Sequence, residues 1–100
     1  MAWLVLSEDS AQGPALRADA GLMAAHWDYE QSIAARILAA GSLRADDGVT
    51  KTGSLLILDV ATRAEAEALI AADPATRAGL RGRIEIRFWN PAILDGRVLD

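Results

Sequence analysis

The chain carries one histidine, His26, and no cysteine, so proton chemistry near neutral pH has one imidazole to work with. An imidazole acts as a general base or acid when a carboxylate holds one ring nitrogen and the other meets the substrate. Two carboxylates compete for the holding role. Glu30 follows four residues later, a spacing that brings side chains together on any helix, and a histidine satisfied this way is simply a packed residue. Asp73, far downstream in an Asp73-Pro74 step, would instead build a site across the fold. Asp-Pro after a helix is also ordinary turn chemistry, so spacing alone leaves both alternatives open.

The remaining candidates are weaker. Gly53-Ser54 opens an apolar segment, where the serine is either a plain strand entrance or a hydroxyl donor to a bound anion. Trp27, Tyr29 and Trp89 are candidate pocket walls, and each reads equally well as core in a domain of this size. Asp46-Asp47-Gly48 resembles half of a calcium loop but lacks the further oxygen ligands and the terminal glutamate, so no metal is expected. The chain has no glycine-rich phosphate loop, no Gly-x-Ser-x-Gly elbow and no histidine pair, which leaves nucleotide, α/β-hydrolase and zinc readings without support. No cofactor is required.

The elements that must position these residues follow from apolar patterning. Residues 2 to 8, with the run Trp3-Leu4-Val5-Leu6, read as a buried strand closed by a loop at Gly13-Pro14. From about Leu16 to Ala40 the chain is alanine-rich and places Leu22, His26, Tyr29, Ile33 and Ile37 at helical spacing, predicting one amphipathic helix stopped at Gly41. A weak strand over Ser42 to Asp46, a turn at Asp47-Gly48 and a strand from Gly53 to Val60 make a hairpin. Thr62-Arg63-Ala64-Glu65 matches a capping box and starts a second helix near Arg63 that ends by Ala72. Pro74 disfavours helical geometry at Asp73, which places the aspartate on a loop past that helix. Residues Arg83 to Trp89 alternate between charged and apolar, predicting an edge strand ended by Pro91.

Strand, helix, strand, strand, helix, strand is the order of a ferredoxin-like α+β domain, with two helices on one face of an antiparallel sheet. The length of 100 residues fits one such domain, residues 1–100. The central strands carry apolar side chains on both faces, and exposing the uncovered face would forgo roughly 1.5 to 3 kcal/mol per large side chain. A homodimer packed through two open sheet faces is therefore expected. The net charge of −4, without a run of basic residues, argues against nucleic acid. The N-terminal apolar run is too short for a signal segment or a membrane span, so the expectation is a soluble, cytoplasmic protein.

Taken in order, several of these features resemble one family. They are a strand ending in Glu8-Asp9, a helix with His26 and an aromatic three residues on, Gly41-Ser42-Leu43, Gly53-Ser54, Ala64-Glu65-Ala66, Asp73-Pro74, Ala78-Gly79-Leu80 and a last strand reaching Trp89. The set is similar to the YCII-related (YciI-like) family over about residues 1 to 92. The resemblance implies a dimeric α+β barrel similar to muconolactone isomerases, and an active site of a histidine and an aspartate that fall on His26 and Asp73. One such relative removes chloride from a chlorinated hydroxyquinol, and most have no assigned reaction. The implied function is a cofactor-free lyase or isomerase that moves a proton on a small cyclic or aromatic metabolite; the alternative is a non-catalytic dimeric binding or accessory domain. Two positions depart from the family pattern. Met23 stands where many members have an arginine, and Ala75 where many have a tyrosine, removing a bidentate anion partner and a hydroxyl donor.

Overall fold

The computed structural model describes residues 2–99; the two ends of the expected domain, Met1 and Asp100, lie outside them. The chain runs β1 (Ala2–Asp9), α1 (Gly13–Arg17), α2 (Ala20–Ser32), a 3-10 turn (Ala34–Arg36), β2 (Ile37–Arg44), β3 (Lys51–Leu58), α3 (Arg63–Ala71), α4 (Pro74–Arg77), β4 (Arg81–Trp89) and a short hairpin of β5 (Ile93–Leu94) and β6 (Arg97–Val98). The main sheet has the order β2-β3-β1-β4 with every pair antiparallel. This is the ferredoxin-like α+β arrangement, with the two most apolar strands central and the alternating strand β4 at an edge.

One face of the sheet carries Val5, Leu56, Leu58 and Ile86, which pack with Ala66 and Ile70 of α3 into the core. Contacts between α1 and α2, α2 and α4, and α3 and α4 join the helices into one layer. On the other face, alternation along the strands places Leu4, Leu6, Leu43 and Leu55, all only half-buried.

The capping box at the start of α3 is present with one change of partner. The Thr62 hydroxyl accepts from the Glu65 amide at 3.2 Å, while the Glu65 carboxylate reaches back to the Ala61 amide at 3.3 Å.

The single long helix expected over Leu16 to Ala40 is divided among α1, α2, the 3-10 turn and β2 instead. Asp19 breaks it first: in extended backbone (φ −78°, ψ 99°) its carboxylate caps the Leu22 amide at 3.0 Å, which ends α1 and starts α2. The second break is tertiary. Ile37 to Ala40 pair with Leu58 to Leu56 of β3, and sheet hydrogen bonds to a strand already in place outweigh the helix propensity of the alanines. Gly41, expected to stop a helix, therefore lies in mid-strand, and β2 spans Ile37–Arg44 rather than Ser42 to Asp46. The loop expected at Gly13-Pro14 is the first turn of α1, with proline at a position where its missing amide costs nothing.

Gly53 shows where the sheet is tightest. A Cβ there would overlap the Ser7 carbonyl of the paired strand, so β1 and β3 approach at this point only because the position has no side chain.

Candidate active site

Asp73 is placed by its neighbour. Pro74 biases it to extended backbone (φ −64°, ψ 127°) and supplies the first residue of α4, making Asp73 the cap of that helix, with Oδ1 accepting the Ala75 amide at 2.9 Å. The expected loop position is thus a helix cap. Its carboxylate is almost fully buried, 3 % exposed, and meets the neighbouring helix: His26 Nδ1 lies 2.9 Å from Oδ1 and 2.8 Å from Oδ2. Glu30 is also beside the ring, with Oε1 3.4 Å from Nε2. Both carboxylates considered for His26 are therefore near it, one at each nitrogen, and the closer contact is to Asp73.

Arg81, the first residue of β4, completes the surroundings. Its guanidinium is 3 % exposed and donates to Asp73 Oδ2 at 3.1 Å, to Thr76 Oγ1 at 2.8 Å, to Ser7 Oγ at 2.7 Å and to Ser54 Oγ at 2.6 Å. Burial alone would push the Asp73 carboxyl up. The hydrogen bonds from His26 and the Ala75 amide, with the charges of His26 and Arg81, outweigh it and hold the group below the usual carboxylate range. Asp73 is therefore an anion at neutral pH, and an anion on Nδ1 fixes the proton there and leaves Nε2 as the nitrogen that can exchange one.

Tyr29 lies one helical turn on, and its hydroxyl donates to the Leu69 carbonyl at 2.6 Å, tying α2 to α3. Burial, followed by the Asp73 charge, pushes this phenol up from its ordinary value. Tyr29 is thus a strut between helices and is outside the cavity lining.

Helix α2 has no fully buried residue; it stands away from the sheet and leaves a cleft of about 940 Å³ against β2 and the start of β3. His26, Glu30, Ser54 and Arg81 line it together with apolar Met23, Trp27, Ile37 and Leu38. Trp27 is 58 % exposed and forms part of the wall. Trp89 is at the far end of β4, opposite Ala2, and does not reach the cleft. The Ser54 oxygen lies 2.8 Å from that of Ser7 and accepts from Arg81 at 2.6 Å. Met23 forms apolar wall; Ala75 is completely buried, its amide on the Asp73 carboxylate.

Sequence reasoning missed Arg81 and Arg17. Arg17 closes the other end of the cleft, its guanidinium locked on Asp9 by contacts of 2.6 and 2.9 Å. The pairing of β4 on β1 puts Arg81 opposite Asp9, and its hydrogen bonds reach the Ser7–Ser54 pair; no sequence spacing signals that set. His26, Glu30 and Asp73 offer ligand atoms within 4.8 Å of one another. His26 and Asp73 are in direct contact at 2.8 Å, and the Asp73 oxygens are also engaged by the Ala75 amide and Arg81.

The YCII-related domain model matches residues 1–90. The chain belongs to that family. A search of curated proteins finds no match, whereas six solved chains match. One is 5-chloro-2-hydroxyhydroquinone dehydrochlorinase (TftG) from Burkholderia phenoliruptrix AC1100, in complex with 2,5-dihydroxybenzoquinone. It superposes with a TM-score of 0.76 at 27 % identity over 90 % of this chain and 94 % of that one. The YCII-related chain therefore shares its fold with a dehydrochlorinase to which it is 27 % identical. Among its described residues, no helix is long and apolar enough to cross a membrane.

Proposed function

We propose that this YCII-related chain is a cofactor-free lyase- or isomerase-type enzyme that moves a proton on a small cyclic or aromatic metabolite. The observation that carries the reading is the double contact of Asp73 with His26 Nδ1, at 2.8 and 2.9 Å, on the wall of a largely apolar cleft. In this reading Nε2 takes a proton from the ligand, and the buried Asp73 anion orients the ring and stabilises the imidazolium that forms. The likeness to a dehydrochlorinase holding a dihydroxybenzoquinone supports a flat, oxygenated ring as ligand, and Trp27, Met23 and Ile37 are walls suited to such a ring.

The whole chain acts as one domain in this proposal, and two copies pair through their sheets. The half-buried Leu4, Leu6, Leu43 and Leu55 would be the centre of that interface, where burial is worth roughly 25 cal/mol per Å² of apolar surface. A cytoplasmic site of action belongs to the same reading. Sedimentation over a dilution series tests the pairing, and a stable monomer across the series would reject it.

A panel of quinols, chlorinated phenols and small lactones tests the chemistry. Turnover that is lost in both His26→Ala and Asp73→Asn supports the enzyme. The apolar Met23 in the wall, where the family pattern has an arginine, favours a second reading as a binding module. Binding without turnover that survives His26→Ala would establish that module and reject the enzyme.

A further inference from the structure

Helix α2 sets two hydrogen-bond acceptors side by side on one wall of the cleft. Asp73 fixes the imidazole proton on Nδ1, so the neutral His26 ring presents a lone pair at Nε2. A carboxylate accepts and never donates, and Glu30, one turn along α2, places Oε1 3.4 Å from that nitrogen. This is longer than the charge-assisted hydrogen bonds of about 2.7–2.9 Å that a committed pair makes, whereas Asp73 is 2.8 Å from Nδ1. Asp73 is also engaged by the Ala75 amide and Arg81; for Glu30, His26 is the one ion-pair contact among the described residues. Nothing nearby neutralises it. Helix α2 has no lysine or arginine, and Arg17 and Arg81, which line the cleft, are each held by an aspartate. Glu30 is nevertheless only 15 % exposed and is the one carboxylate among the described residues that line the cleft.

We propose that Glu30 is a specificity-determining residue: it accepts a hydrogen bond from a hydroxyl group that the ligand carries beside the atom facing His26 Nε2, and it turns away ligands with a carboxylate there. Two acceptors this close need hydrogen from the ligand on both. One is the proton that Nε2 takes in the proposed reaction. The other must be a polar hydrogen, because a mostly buried carboxylate that meets an ether oxygen or an apolar edge loses its water without replacement. A second anion is worse, since like charges about 4 Å apart repel more strongly the less water lies between them. The apolar Met23 and Trp27 in the same wall offer an incoming anion no compensation. The ligand class narrows from any oxygenated ring to one bearing a neutral hydroxyl, a phenol or a cyclic enol. This deepens the proton-transfer reading of His26 and Asp73 and rests on it: Asp73 orients the ring, and Glu30 selects what the ring acts on.

Titrations followed by amide chemical shifts read the selection with three matched rings: resorcinol, its dimethyl ether and isophthalate. Wild-type protein is expected to bind resorcinol about tenfold or more tightly than either other ring, the effect of one hydrogen bond to a charged group. Glu30→Leu removes the acceptor and is expected to bring resorcinol and its ether to the same affinity. Glu30→Gln keeps the shape without the charge and is expected to tighten isophthalate while weakening resorcinol. Equal weakening of all three rings in both variants would mean a structural role for Glu30 and overturn the proposal, as would unchanged resorcinol binding in Glu30→Leu. Wild-type protein that binds the three rings equally would overturn it too and leave the reading of His26 and Asp73 standing. Wild-type protein that binds none of them would reject the aromatic-ligand reading on which both rest.

Discussion

Replacing Asp73 by asparagine keeps the shape of the side chain and removes its charge. The retained carbonyl oxygen can still accept the Ala75 amide, so the cap on α4 survives. The Arg81 cation does not fare as well, because it is 3 % exposed and loses the anion 3.1 Å away. Removing one partner of a buried ion pair costs about 3–5 kcal/mol. The lower end applies here, because Arg81 keeps its bonds to Thr76, Ser7 and Ser54. A loss of about 3 kcal/mol at pH 7 is expected, equivalent to a fall in Tm of very roughly 12–24 °C for a domain of this size. The pH dependence provides a second check. The folded-state carboxyl is held below its ordinary value, so its stabilisation is fully present above the unfolded value of about 3.9 and is lost as pH falls through the folded one. Urea unfolding at pH 7 and again near pH 3 should show the gap between wild type and Asp73→Asn narrowing in acid. A variant within about 1 kcal/mol of wild type at pH 7, or a gap that does not narrow in acid, would refute the reasoning.

Tyr29 is the sole tyrosine, and its phenol is pushed up by burial and by Asp73; tyrosinate absorbance near 295 nm should therefore appear only above the ordinary range in folded protein and return to that range in urea. Tyr29→Phe removes the bond to Leu69 and is expected to cost about 1 kcal/mol in chemical denaturation. Gly53→Ala sets a methyl group against the Ser7 carbonyl; separating β1 from β3 is expected to cost about 1–3 kcal/mol, and a variant as stable as wild type would show that the strands yield freely there.

Where a local signal and the tertiary fold agree, the elements were legible. Apolar runs marked β1 and β3, Thr62 and Glu65 marked the start of α3, and charge alternation marked β4. Ile37 to Ala40 failed because their strand exists only through pairing with β3; no property of the four residues distinguishes them from a helix. The split at Asp19 has a local signal, an acidic cap residue inside an alanine-rich stretch. The pairing of His26 with Asp73 could be posed from the sequence but not decided, since Glu30 satisfies the same local rule and both carboxylates turn out to flank the ring. Arg81 was invisible for a different reason: its partners come from β1, β3 and the ends of α4, and no spacing along one element encodes such a set.

Helix α2 brings the only histidine to the site yet buries no side chain completely. Its contacts to its neighbours include the His26–Asp73 and Tyr29–Leu69 hydrogen bonds, and an element fastened this lightly opens at a lower free-energy cost than the sheet beneath it. A molecule filling the cleft would give the helix the apolar contact it lacks, and mass action then lowers the open population by the factor 1 + [L]/Kd. Amide deuterium exchange across residues 20–32 should accordingly slow as occupancy rises. The helix is in effect a built-in reporter, able to rank candidate ligands by affinity before any reaction has been observed.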